Sequence, residues 1–456
     1  MHIGHRKTCS HSHEHMIKTL LSFIRVPFIR DVTTMQMGRI VMIGSSFLAS
    51  ILYARFLGLG GYGEYAVILA FTGTAGIITN LGQQATALTF FAESYGKKDR
   101  MSQGNILQYF MITSLLSIVF LGILALFAPL LTEWFHGKRE IGILARMIFV
   151  SSMFEFGFIW YSITLQVTRH IRFLTILENT KTLLQLILAT VFLFFGLHVF
   201  GVLLSSLIVS ILFCFVSFFL YSRLQKTHDV PGFREAVQHR HMRHLWKYAK
   251  DGIWIAIDKN LGSLYPTVFI FAVSTQTSEA ITGLVRLGFK LASLPASMAI
   301  ASISRLASSV IPTIIGQVNM DVFTKIRMLF FNTFKIHIFV SVAAAICITI
   351  FLPYVYGEHF RPAIYPFLII VFLNLSLGLH AIATPILRVL SKIHIAAYLS
   401  VIGITVGLGI LFGLGGTLPI TQALYLSLLA YHMIIALVLI PVMDILKKVK
   451  LPPRSS

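Results

Sequence analysis

Residues 35–91 read MQMGRIVMIGSSFLASILYARFLGLGGYGEYAVILAFTGTAGIITNLGQQATALTFF. Two long apolar runs, 35–56 and 64–91, flank the glycine-rich segment Leu57-Gly58-Leu59-Gly60-Gly61-Tyr62-Gly63. As a helix rising ~1.5 Å per residue, roughly twenty residues cross a ~30 Å hydrocarbon core. Gly58 to Gly63 also fits G-x-G-x-x-G. A dinucleotide fingerprint, however, follows a strand and opens a helix within a βαβ unit. Between two membrane spans the same glycines read as a tight outer turn.

The pattern recurs along the whole chain. Twelve spans are expected, at 35–56, 64–91, 104–131, 141–166, 174–196, 201–221, 249–274, 281–311, 328–352, 362–386, 394–413 and 418–443. Charged residues make up 12% of the chain, about half the share of a soluble domain. The fold class is therefore an all-α polytopic membrane protein. No P-loop, nucleophile elbow or H-E-x-x-H is present, and the sequence calls for no cofactor.

Lys and Arg set the orientation. With the N-terminus inside, inside segments carry 25 of the 37 cations, seven of them in 222–250; outside loops carry only Lys138, Arg139 and Arg361. Both termini are expected in the cytoplasm of a cell inner membrane protein. The basic balance then follows from topology, and no nucleic-acid partner is expected.

The basic segment 222–248 has Phe233, Val237, Leu245 and Trp246 near one helical face, as in a helix lying on the membrane surface. It divides the chain into a six-helix lobe at 35–221 and another at 249–443, with cytoplasmic tails at 1–34 and 444–456. The halves look related by a shift of 220 residues. Gly63 then matches Gly283, and Trp134-Phe135-His136-Gly137 matches Tyr354-Val355-Tyr356-Gly357. Such repeats commonly hold a transported substrate between them.

Three features carry less. Cys9, Cys214 and Cys347 have no paired spacing. Asn374-Leu375-Ser376 is a sequon inside a span. His2, His5, His11, His13 and His15 with Cys9 form a histidine-rich tail that could bind metal or be plain tail; no metal site is assigned to it.

Nine cations fall inside the spans: Arg39, Arg55, Arg146, Lys181, Lys259, Arg286, Lys290, Arg305 and Lys335. At ~2.5–3.5 kcal/mol each near the bilayer centre, facing all of them to lipid would cost roughly 20–30 kcal/mol. Arg39, Arg55, Arg146 and Arg305 lie near span ends, where long side chains snorkel. Lys181 and Lys335 are intermediate. Lys259 and Lys290 lie about 14–15 Å in, with Asp258 beside Lys259. Arg286, Lys290, Ser293 and Ser297 share one face of the eighth span, interrupted by Pro295, a position where helices kink. The first span has a weaker stripe of Arg39, Ser46, Ser50 and Tyr53. Serines serve helix packing as well, but packing does not explain Arg286 and Lys290. The candidate substrate-binding residues are Arg286, Lys290, Lys259 and Arg39, and Asp258 is the ion-coupling candidate. The excess of cations points to an anionic cargo.

The chain resembles the Wzx-type polysaccharide (O-antigen) flippases, in the superfamily that also holds MATE drug exporters and lipid II flippases. Ala54-Arg55-Phe56-Leu57-Gly58, then Gly61-Tyr62-Gly63-Glu64-Tyr65, carry the likeness. Leu81-Gly82, Lys290-Leu291, Pro312 and Tyr356-Gly357-Glu358-His359-Phe360 extend it. Asn80 departs from it, standing where the family often has an acid. The resemblance implies two six-helix lobes around a central cavity and outward movement of a polyprenyl-diphosphate-linked oligosaccharide by alternating access. Membrane lipids, a polysaccharide polymerase and glycosyltransferases would be its partners. Two alternatives stand beside this reading. A MATE-like cation-coupled small-molecule exporter would favour acids in its cavity. A membrane glycan polymerase or glycosyltransferase would need a large outer loop, and the longest here is about ten residues.

Overall fold

The computed structural model describes residues 27–79, 83–238, 246, 248, 265–316, 322–389 and 392–448. Among the described residues the chain is helical, with no strand. Its helices are α1 Pro27–Thr79, α2 Gln83–Gly96, α3 Arg100–His136, α4 Arg139–Val167, α5 Ile171–Phe194, α6 His198–Thr227 and the short α7 Phe233–Gln238. They continue as α8 Tyr265–Ser274, α9 Glu279–Gly316, α10 Val322–Tyr356, α11 Ile364–Leu373, α12 Leu375–Val389, α13 Ile393–Leu414, α14 Ile420–Ala436 and α15 Leu439–Lys448. A 3-10 turn, Glu358–Ala363, leads into α11.

Nine helical segments among the described residues are long and apolar enough to cross a membrane. Their outward faces are apolar too, as at Phe339 (75% exposed), Leu126 (70%) and Phe215 (67%). Exposed apolar surface on this scale suits lipid, not water. The molecule is a multi-pass membrane protein.

Several span boundaries differ from expectation. The tight turn after the first span reduces to one residue: Gly58 has φ 66° and ψ −176° inside an otherwise helical α1. Glycine reaches such a φ without steric cost. The two arms of α1 fold back there, because the Tyr53 and Tyr65 rings are 5.6 Å apart, whereas a straight helix would separate them by about 18 Å. The expected second span divides between the second arm of α1 and α2. The tenth divides between α11 and α12. The sixth runs on to Thr227, so the first residues of the expected linker belong to α6. Helix α9 passes through Pro295 without interruption.

Local chemistry sets the ends of α3. Asp99 caps its N-terminus, accepting from the Ser102 N–H at 3.1 Å and the Ser102 hydroxyl at 2.6 Å, which satisfies donors the first turn leaves open. In the first half, α4 packs between α3 and α6, and α5 packs on α6 and α1. In the second half, α9 packs on α10, α11 and α12, and α13 on α14. The halves meet chiefly through α1 and α9. One core cluster runs through this contact, from Tyr53 and Tyr62 to Val285, Tyr356 and Phe367.

Candidate functional site

A cavity of about 410 Å³ lies where α1, α5, α8 and α9 converge. From α1 it takes Ser46, Ser50 and Tyr53, which share one face at three- and four-residue steps, and Tyr62 and Tyr65 from beyond the kink. Helix α5 supplies Thr182 and Gln185; α9 supplies Arg286, Lys290 and Ser293. The expected stripes of the first and eighth spans thus face one another. Lys290 Nζ donates to the Ser46 hydroxyl across the cavity. The Arg286 guanidinium sits 6.0 Å from the Tyr65 ring centre, at the outer limit of a cation–π contact. No Asp or Glu is among the described lining residues.

Two of the five candidate residues, Arg286 and Lys290, line this cavity. Arg39 is half-buried on α1 and outside the lining. Lys259 and Asp258 lie outside the described residues, as do the histidine tail, Asn80 and Leu81-Gly82. Ser297 is also outside the lining, its hydroxyl donating to the Leu294 carbonyl of its own helix at 2.8 Å. Tyr62 and Tyr65 were visible as motif residues, but nothing in the sequence pointed them inward. Thr182 and Gln185 show only as a polar pair three residues apart.

Other intramembrane cations have structural employment. Arg55 and Arg146 do more than snorkel. Arg55 donates from Nη2 to the Tyr354 carbonyl at 2.6 Å and from Nε to that of Val355 at 2.7 Å, closing the end of α10. Arg146 Nε donates to the Ala125 carbonyl at 2.9 Å. Pro129, four residues on within α3, has no N–H to offer that carbonyl. Lys181 pairs with Glu155, whose other oxygen accepts from Ser210 at 2.8 Å. Lys335 is exposed on α10.

At the end of the bundle carrying the motif turns, the halves are tied together. Lys138 Nζ meets Glu279 Oε1 at 2.7 Å. His136 Nε2 and the Ser274 hydroxyl are 2.8 Å apart, as are the Ser50 and Tyr356 hydroxyls. Glu279 raises the Lys138 ammonium above its usual pKa by hydrogen bond and charge.

The sequence profile of the polysaccharide biosynthesis protein family matches residues 28–316, well over half of the 456-residue chain. The chain belongs to that family. No curated protein matches this polysaccharide biosynthesis protein by sequence. Solved structures do match it in fold. A multidrug resistance MATE family transporter of the MOP superfamily, inward-facing, aligns with a TM-score of 0.70 at 16% identity, over 88% of this chain and 96% of that one. An outward-facing conformation of such a transporter gives 0.62 at 16% identity, over 92% and 97%. The eukaryotic MATE transporter AtDTX14 gives 0.61 at 15% identity, over 92% and 96%. The fold is therefore MATE-like, and family and fold together support a membrane transporter.

Proposed function

We propose that this protein is a flippase, carrying a polyprenyl-diphosphate-linked oligosaccharide from the cytoplasmic to the outer leaflet of the cell inner membrane during surface polysaccharide assembly. The observation that carries the reading is the pair Arg286 and Lys290 in a cavity with no acid among its described lining residues. Two positive charges without a carboxylate partner favour an anion, here the diphosphate. Serine hydroxyls and the Tyr53, Tyr62 and Tyr65 rings offer hydrogen-bonding and stacking surface to sugars. The polyprenyl chain stays in lipid, where it costs nothing to leave. Arg39 is a further headgroup contact, Lys259 another, and Asp258 the coupling carboxylate.

The Lys/Arg asymmetry supports cytoplasmic termini. The motif turns then lie outside, and the ties Lys138–Glu279 and Arg55–Val355 close the outer end. Alternating access would break these ties and form others at the inner end. The cationic lining argues against export of lipophilic cations. A deletion strain tests the function: lipid-linked oligosaccharide should accumulate on the cytoplasmic face and surface glycan should disappear. Normal delivery of the glycan to the outer leaflet in that strain would refute the reading.

A further inference from the structure

Polar side chains line much of the central cavity, but most of its hydroxyl protons are already engaged. Ser45 donates to the Val41 carbonyl at 2.8 Å, Ser50 to that of Phe47 at 2.7 Å, Thr182 to that of Glu178 at 3.0 Å and Ser293 to that of Lys290 at 2.6 Å. Each of these bonds stays within one helix, so these oxygens are left to accept and not to donate. Gln185 of α5 differs. It lines the same cavity, and among the described residues its carboxamide has no hydrogen-bond partner. A carboxamide offers two donors and an acceptor in one plane. No other neutral side chain in the described lining can donate twice.

The depth of Gln185 follows from how α5 runs beside α1. A Cβ on Gly38 would run into Thr175 and touch Asn179, and farther along the pair the rings of Phe56 and Phe194 are 4.8 Å apart. The two helices therefore run parallel and keep one register. Gly38 is level with the midpoint of Thr175 and Asn179, so eight residues further along both helices Ser46 comes level with Gln185. Ser46 is also the residue that accepts from Lys290 Nζ. Lys290 and Gln185 thus stand at one depth on different walls of a cavity of about 410 Å³, small enough for one headgroup to span them.

We infer that Gln185 is a specificity-determining residue, holding the sugar attached to the diphosphate while Lys290 holds the phosphate. The inference rests on the flippase reading. Its physical basis is discrimination. A sugar hydroxyl at this depth replaces the water on the carboxamide, whereas a group unable to hydrogen-bond there would strip that water and return nothing.

Two probes separate the roles: undecaprenyl diphosphate, and the lipid-linked oligosaccharide extracted from the deletion strain. Their Kd values are measured by microscale thermophoresis on the detergent-solubilised full chain. Gln185→Met keeps an unbranched side chain of similar length and removes its hydrogen bonds. It should weaken binding of the oligosaccharide-linked probe about tenfold, because the sugar hydroxyls lose their partner. Undecaprenyl diphosphate should weaken much less. Lys290→Ala should weaken both. The Gln185 carboxamide has no partner among the described residues to lose, so the melting temperature should hold. Should it fall, Gln185→Asn, which draws the amide back by one methylene, replaces it with the same expected split. Equal weakening of the two probes, or no weakening of either, would overturn the role of Gln185 and leave the flippase reading standing. Failure of the unaltered protein to bind either probe would overturn the flippase reading, and this inference with it.

Discussion

Gly63 and Gly283 touch backbone to backbone. A Cβ built on Gly283 would lie 3.0 Å from the Gly63 Cα, and one on Gly63 would lie 2.1 Å from the Glu279 carbonyl oxygen. The two glycines matched by the 220-residue shift are thus the point where the second arm of α1 meets α9. Without side chains between them, the helices approach more closely than any other residue pair would permit.

Gly63→Val should therefore prevent this closed end from forming. Crosslinking of a Lys138→Cys/Glu279→Cys pair with a short bifunctional thiol reagent would report it, with yield falling sharply in the Gly63→Val background and glycan export lost. Gly60→Ala is the control, since a Cβ there meets nothing within 4 Å, and it should leave both readings unchanged.

Lys290→Ala should abolish export while the protein still inserts, since it removes the cation that bridges to Ser46. Lys290→Arg should keep part of the activity, because the charge survives but its shape changes. Full complementation by Lys290→Ala at native expression would end the cationic-site mechanism.

Arg146→Ala should destabilise the detergent-solubilised protein by about 1–3 kcal/mol, the cost of leaving a buried carbonyl unsatisfied. Pro129→Ala gives the Ala125 carbonyl its own helical donor. The Arg146→Ala loss should shrink in that background, and a double-mutant cycle of thermal unfolding measures the coupling.

Lys181→Met should destabilise more than Lys181→Met combined with Glu155→Gln. The single change strands a carboxylate that is 31% exposed, whereas the double change removes the charge as well. Equal melting temperatures for the two variants would show that the stranded Glu155 carboxylate carries no penalty.

Reporter fusions at Gly137 and Gly415 should read outside, and fusions at Lys98 and His239 inside. The cation asymmetry rests on whole loops, so an inversion at any of these sites would displace the cavity assignment that depends on it.

The sequence alone was enough for the membrane class, because a run such as 104–131 has no other way to satisfy its backbone and its side chains together. It was also enough to set the Arg286/Lys290 face of α9, which needs only helical periodicity. Periodicity says which residues share a face and nothing about what that face meets. Tertiary packing decided that α9 faces Ser46 on α1, that Tyr62 and Tyr65 turn into the same cavity, and that Arg55 and Arg146 serve carbonyls 300 and 21 residues away. Depth along a span separated Arg146, near an end, from Lys290, well inside, but could not show that Arg146 serves a carbonyl and does not simply snorkel. Their fates differ because a proline in a neighbouring helix frees an acceptor for the first and a gap between the halves opens beside the second. Both causes lie in other helices, so no local reading of either residue contains them.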